Sequence, residues 1–132
     1  MVAEVPGVAG VSVVIADDEL LIREALRAVF EAEGDFTVVG AAATVDEAVA
    51  LIEHHRPEVA VVDVRMPAGG GAEVARRVAG LGTRLVAFSA YDDAGHRRRM
   101  REAGVGEYVL KGMPNAEIVA AVRRAVAAGR LS

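Results

Sequence analysis

The chain has 132 residues, 53% of them apolar, no cysteine, no tryptophan and a formal net charge of −4. That length supports one domain with a genuine core. The missing cysteines exclude disulfides, thiolate metal centres and a thiol nucleophile, and the acidic balance gives no overall pull toward nucleic acid.

Residues 1–10 are small, Gly-containing and unpatterned, which reads as a loose leader. Residues 12–16 form the first short apolar run, a strand. Leu21, Ile22, Ala25, Leu26, Val29 and Phe30 then recur at i, i+3, i+4 spacing, which predicts a helix. Residues 37–41 are a second strand with less clean alternation. A helix over 44–53 opens on Thr44 with Glu47 three residues later, a capping box. Residues 59–62 are the third strand, and a short helix over 72–79 follows the run Gly69-Gly70-Gly71. Residues 85–89 are the fourth strand, and a helix over 92–103 stops at Gly104. Residues 108–110 are the fifth. The last helix, 114–128, opens on Pro114, closes at Gly129 and carries Ile118, Val119, Val122 and Val126 on its core stripe. The domain spans 11–129, with 130–132 as the start of a linker or tail.

Strands alternating with helices imply right-handed crossovers and a parallel α/β sheet covered on both faces. The near-continuous apolar runs suit strands buried on both sides. In such sheets the site lies outside the carboxyl ends of the strands. The first strand ends at Asp17-Asp18, the third at Asp63, the fourth at Ser89, and the fifth at Lys111, the one lysine among fifteen Lys and Arg residues. A compact ammonium reaches a single anion differently from a planar guanidinium. Three crowded carboxylates bind protons or a cation, and an all-oxygen set suits a hard ion such as Mg²⁺. Such an ion and Lys111 would neutralise an incoming phosphoryl group, and a carboxylate attacking phosphorus gives an acyl phosphate. Plainer readings stand beside these: Asp17 and Asp18 as helix caps, Tyr108 as a half-buried strand aromatic, the run Arg97-Arg98-Arg99 with Arg101 as a solvated face or a partner surface. The three histidines, His54, His55 and His96, read as surface residues.

The pieces Ile15-Ala16-Asp17-Asp18-Glu19, Val61-Val62-Asp63-Val64-Arg65-Met66-Pro67, Phe88-Ser89-Ala90 and Tyr108-Val109-Leu110-Lys111-Gly112 together resemble the receiver domain of two-component response regulators. Lys111-Gly112 and its surroundings resemble those of LuxR-type DNA-binding regulators, since many relatives carry Pro directly after the lysine. The resemblance implies a flavodoxin-like (βα)5 fold, a doubly wound five-stranded parallel sheet of order 2-1-3-4-5. It implies Asp63 as phosphoacceptor from a sensor histidine kinase. Asp18 and Asp17 would hold Mg²⁺ with Asp63 and the backbone carbonyl of Arg65. Ser89 and Lys111 would contact the phosphoryl oxygens, Tyr108 would be the rotating switch aromatic, and Pro67 would shape the loop after the acceptor. Arg65 and Tyr91, each two residues past a site residue, would tune the phosphoryl lifetime.

The resulting expectation is a cytoplasmic switch with no membrane contact, which catalyses only its own phosphotransfer and autodephosphorylation and is not otherwise an enzyme. Its output would be transcription regulation. A homodimer would use the face of the fourth helix, fifth strand and fifth helix, and DNA would be reached only through an output domain absent from this chain. The ending 127–130 reads as the start of a linker toward such a domain, with a stand-alone receiver as the alternative. One alternative is a degenerate, unphosphorylated receiver acting as a binding module. Another is a small aspartate-dependent phosphatase, though such enzymes usually carry a second acid where Arg65 stands. The run Gly69-Gly70-Gly71 departs from relatives that often have an acid and one Gly, and is expected to loosen the loop beside Asp63.

Overall fold

The computed structural model describes residues 10–131. The elements run β1 (Val11–Ala16), α1 (Leu20–Glu33), β2 (Phe36–Ala42), α2 (Val45–His55), β3 (Val59–Asp63), α3 (Gly70–Arg77), β4 (Arg84–Ser89), α4 (Ala94–Glu102), β5 (Glu107–Leu110) and α5 (Asn115–Leu131). All strand pairs are parallel and the sheet order is β2-β1-β3-β4-β5, the flavodoxin-like order expected.

Alternate residues of the central strands enter two cores. Val13, Ile15, Val59 and Val61 pack with Leu26 and Phe30 of α1 and with Ile118, Val122 and Val126 of α5. Val14, Ala16, Ala60 and Val62 pack with Ala48, Val49 and Ile52 of α2, Val74 of α3 and Met100 of α4. Every residue of β3 is buried, which is why these strands read as continuous apolar runs rather than alternating ones. Burying each of the Val, Leu, Ile, Phe and Met side chains among these stabilises the fold by about 1.5–3 kcal/mol, so the middle of the sheet is held rigidly under the site at its edge.

Local chemistry sets the helix ends. The Thr44 hydroxyl accepts from the Glu47 amide at 3.1 Å. The Glu47 carboxylate accepts from the amide of Ala43 at 2.8 Å, one residue before the cap rather than at it. Asp93 caps α4 by accepting from the His96 amide at 2.8 Å, and Gly104 follows with φ +93°, the left-handed conformation that ends the turn.

Four expectations shift. Leu21 is 78% exposed and Ala25 is exposed too, so the core stripe of α1 narrows to Ile22, Leu26, Val29 and Phe30. α5 does not stop at Gly129 but continues to Leu131, so residues 130 and 131 are helical. At Gly129 a Cβ would lie 3.1 Å from Cγ of Arg84, a close approach that glycine leaves open. The uneven pattern of β2 comes from a bulge against β1 between Val13 and Val14 and from Gly40, where a Cβ would come 2.9 Å from Leu51 Cδ2. The glycine run is tight rather than slack. A Cβ at Gly70, which has φ +60°, would collide with the Val64 carbonyl oxygen, and one at Gly71 would lie 2.9 Å from that of Asp63. The leader expected over 1–10 lies outside the described residues except for Gly10. Among the described residues, no helix is long and apolar enough to cross a membrane.

Candidate functional site

The strand ends converge as the charge pattern predicted. Asp17 extends β1 by one more bond, its amide donating to the Ala42 carbonyl at 3.0 Å. Its Oδ1 then accepts from the Glu19 amide at 2.9 Å, and its carbonyl accepts from Arg23 at 2.8 Å. These bonds pin the turn into α1 and leave Oδ2 facing the neighbouring strands. Asp18 is exposed. Neither aspartate is the helix cap: that position is Glu19, whose side chain makes no cap bond. Asp63 closes β3, only 6% exposed, with Oδ1 accepting from the Arg65 amide at 3.2 Å.

Lys111 brings these acids together. Its amide donates to the Ser89 carbonyl at 2.7 Å, which carries the β4–β5 pairing one residue past β5 and aims the side chain along the edge. Its Nζ lies 2.7 Å from Asp17 Oδ2, 3.4 Å from Asp63 Oδ2 and 3.8 Å from Glu19 Oε2. The contact with Asp17 Oδ2 is ionic without hydrogen-bond alignment, so this buried oxygen has no directed donor. Oxygen atoms of Asp17, Asp18 and Asp63 all lie within 4.8 Å of one another.

The electrostatics follow from burial. Desolvation pushes the Asp63 carboxyl up to about 6, the Asp17 charge adds to this, and the Arg65 amide and Lys111 only partly offset it. Burial works against the Lys111 ammonium, but its contacts with Asp17 and Asp63 outweigh that and raise it above the usual lysine value. One ammonium thus meets Asp17, Asp63 and Glu19, with Asp18 in the same carboxylate cluster. The remaining negative charge, the all-oxygen donor set and the undirected Asp17 oxygen fit a hard divalent cation.

Ser89 is fully buried at the end of β4, its Oγ accepting from the Tyr91 amide at 3.0 Å. The half-buried Tyr108 donates its hydroxyl to the Tyr91 carbonyl at 2.6 Å, and the Arg97 guanidinium lies 4.5 Å over its ring. Tyr91 therefore bridges Ser89 and Tyr108 through its own backbone. Arg65 and Pro67 are exposed, and the Arg65 guanidinium sits 4.8 Å above the Tyr91 ring. His96 is not a plain surface residue: its ring stacks on Tyr91 at 5.1 Å and pairs with Asp93 at 2.5 Å. Glu19, Arg23 and His96 received no role from the sequence. The i, i+3 spacing of Asp93 and His96 was the available signal for the last.

A family model for the response regulator receiver domain matches residues 13–123. The chain belongs to the response regulator receiver domain family. It is 31% identical over 113 residues to the transcriptional regulatory protein DesR of Bacillus subtilis, an alignment covering 86% of this chain and 57% of DesR. It is 32% identical over 115 residues to the transcriptional regulatory protein HptR of Staphylococcus aureus, covering 86% of this chain and 46% of HptR. The chain thus spans about half the length of these curated relatives. Among solved structures, the receiver domain of NarL from Mycobacterium tuberculosis superposes with a TM-score of 0.86 at 35% identity, over 90% of this chain and 98% of that one. A LuxR-family regulator from Aurantimonas gives 0.85 at 29% identity, over 91% and 87%. The likeness to LuxR-type receivers read from Lys111-Gly112 agrees with these neighbours.

Proposed function

We propose that this receiver is a phosphorylation switch in which Asp63 takes a phosphoryl group from a sensor histidine kinase. The observation that carries this reading is the buried Asp63 carboxylate within 3.4 Å of Lys111 Nζ, inside a cluster of three aspartates at the carboxyl edge of the sheet. A carboxylate oxygen of Asp63 attacks phosphorus, the bond from phosphorus to the donor imidazole breaks, and the imidazole leaves with the electron pair. Lys111 and the Ser89 hydroxyl hold phosphoryl oxygens and stabilise the charge that spreads over them. Asp17, Asp18, Asp63 and the Arg65 carbonyl would hold Mg²⁺, which when bound neutralises phosphoryl charge. The chain catalyses only its own transfer and hydrolysis. The second acid of an aspartate-dependent phosphatase is missing, since Arg65 occupies that place.

The output follows from the bonds on Tyr91. When Ser89 turns toward a phosphoryl oxygen, the Tyr91 amide loses its acceptor, its carbonyl shifts, and the Tyr108 hydroxyl is released to repack. The α4-β5-α5 face then changes its affinity for a second copy or for an output domain, a two-state element biased by a local charge event. By analogy with DesR and HptR, named as transcriptional regulatory proteins, the output is transcription, reached in the cytoplasm through a DNA-binding domain outside this chain. The test is intact mass after incubation with acetyl phosphate, with and without Mg²⁺, on wild type and Asp63→Asn. One Mg²⁺-dependent phosphoryl adduct, absent from the variant, is expected. No adduct under any condition would turn the reading to an unphosphorylated binding module.

A further inference from the structure

Tyr108 is held by more than the bond of its hydroxyl to Tyr91. The ring is half-buried and packs against the core that contains Met100 and Val105, and the Arg97 guanidinium reaches over it from α4 at 4.5 Å. Arg97 does not lie there freely: its Nε donates to Asp92 Oδ1 at 2.6 Å. Of the arginine run in α4, Arg97 is half-buried, whereas Arg98, Arg99 and Arg101 are exposed and make no ion pair or ring contact among the described residues. Asp92 follows Tyr91 directly in the chain. The carbonyl that accepts from the Tyr108 hydroxyl and the carboxylate that anchors the cation over its ring therefore stand on neighbouring residues. The same loop is tied to α4 twice more, by the stacking of Tyr91 on His96 at 5.1 Å and by the Asp93 cap. A planar guanidinium can lie on a ring and keep its edge N–H groups for a carboxylate, which a compact ammonium does less well.

We propose that Arg97, oriented by Asp92, is a positioning residue that clamps Tyr108 in this place and sets the threshold for its release. The threshold role rests on the switch proposed above, in which Tyr108 repacks on phosphorylation; the clamp itself needs no phosphoryl group. A cation over an aromatic face is attracted by the negative charge of the ring's π system. Tyr108 leaves only when its hydroxyl parts from Tyr91 and its face parts from Arg97. Both contacts depend on the loop over 91–93, so a shift of the Tyr91 backbone carries Asp92 with it and weakens the two together. Without the guanidinium only the hydroxyl bond and the core packing remain. The balance between held and released ring then moves toward release by the strength of one exposed cation–π contact, about two- to fivefold.

The chain has two tyrosines and no tryptophan, so Tyr91→Phe leaves Tyr108 as its one tyrosine, and the bonds that residue 91 makes to Ser89 and Tyr108 are through its backbone. In that background the full chain is labelled with 3-fluorotyrosine and the ratio of released to held ring is read by fluorine NMR, without any phosphodonor. Arg97→Gln should raise the ratio about two- to fivefold. Asp92→Asn should raise it less, because the cation stays but loses its anchor, and Arg97→Lys should recover part of the hold. Arg98→Gln, which removes an exposed charge beside the clamp, should leave the ratio at its starting value. A purely structural role for Arg97 would lower the urea midpoint without moving the resonance. A resonance that does not move in Arg97→Gln, or that moves equally in Arg98→Gln, would overturn the proposal; the second result would assign the effect to the general field of α4. Acetyl phosphate with Mg²⁺ should then drive the resonance of the background protein to the released position. If it stays in place while Arg97→Gln moves it, the threshold role is overturned together with the switch reading, a failure distinct from that of the clamp.

Discussion

At the amino ends of the strands, three arginines of α5 meet acids placed just before or at the start of a strand: Arg123 with Asp35 at 2.7 Å, Arg124 with Glu107 at 3.0 Å and Arg130 with Glu58 at 2.8 Å. At the carboxyl ends, one lysine meets Asp17 and Asp63 at comparable distances. The difference is solvent. The α5 arginine side chains are 45–57% exposed, whereas those of Lys111, Asp63 and Asp17 are 15%, 7% and 1% exposed. Exposed pairs are worth little because water screens them and the side chains lose freedom to form them. Buried charges cost much to desolvate and repay that only when balanced. Here two buried acids share one ammonium, so this end of the sheet is poised to accept more positive charge or to lose negative charge. The arginine-paired end has little at stake electrostatically, and the end with surplus carboxylate is where the chemistry belongs.

Removing the ammonium should break this comparison most sharply. Lys111→Ala leaves buried carboxylates unbalanced and should destabilise the protein by about 3 kcal/mol in EDTA, read by urea unfolding; a saturating divalent cation should restore part of that loss. A change below about 1 kcal/mol would mean the cluster is already well solvated.

Neutralising an acid should act in the opposite direction. The folded Asp63 carboxyl sits near 6, above the ordinary aspartate value of about 3.9. Below about pH 4 it is protonated in folded and unfolded chains alike, and its charge costs nothing. As pH rises from 4 through 6 the unfolded chain ionises first, and the cost of burying the charge grows to its full value. Asp63→Asn should therefore be more stable than wild type by roughly 2–3 kcal/mol at pH 7 without divalent cations. That advantage should vanish near pH 4. Unfolding curves at the two pH values check it, and an equal advantage at both would remove titration as the cause.

The glycine run sharpens the contrast in backbone rather than charge. Gly70→Ala forces a Cβ against the Val64 carbonyl at a positive φ and should cost at least about 2 kcal/mol. It should also reduce phosphorylation, because the Val64–Gly70 turn carries the Arg65 amide that bonds Asp63. Normal stability and rate would return the run to the slack loop read from composition.

The smallest effect belongs to the opposite end. Arg123→Gln should change stability by no more than about 1 kcal/mol, and that change should disappear in high salt. A loss as large as that of Lys111→Ala would erase the distinction between the two ends.

Most of the fold was legible because its signals are local or periodic. Double-faced burial made β1, β3 and β4 continuous apolar runs, and Thr44 with Glu47 marked α2. β2 read less cleanly because a bulge and the close approach of Leu51 to Gly40 interrupt its alternation. The end of α5 was misplaced because Gly129, a helix stop by composition, lies inside the helix beside Arg84, forty-five positions earlier in the chain. The acids and the lysine of the site could be read because parallel topology carries every strand end to one edge. The Tyr91 bridge and the stacking of His96 could not be read. They depend on how the loop after β4 folds back over the edge, and no spacing rule encodes that path.

The measurement that tests the account most directly is the position of the phosphoryl group. Protein treated with acetyl phosphate and Mg²⁺ would be reduced with borohydride, which converts an aspartyl phosphate to homoserine, and mapped by peptide mass. Homoserine at position 63 alone is the predicted result. Homoserine at 17 or 18, with position 63 still aspartate, would contradict the assignment of Asp63 as the acceptor.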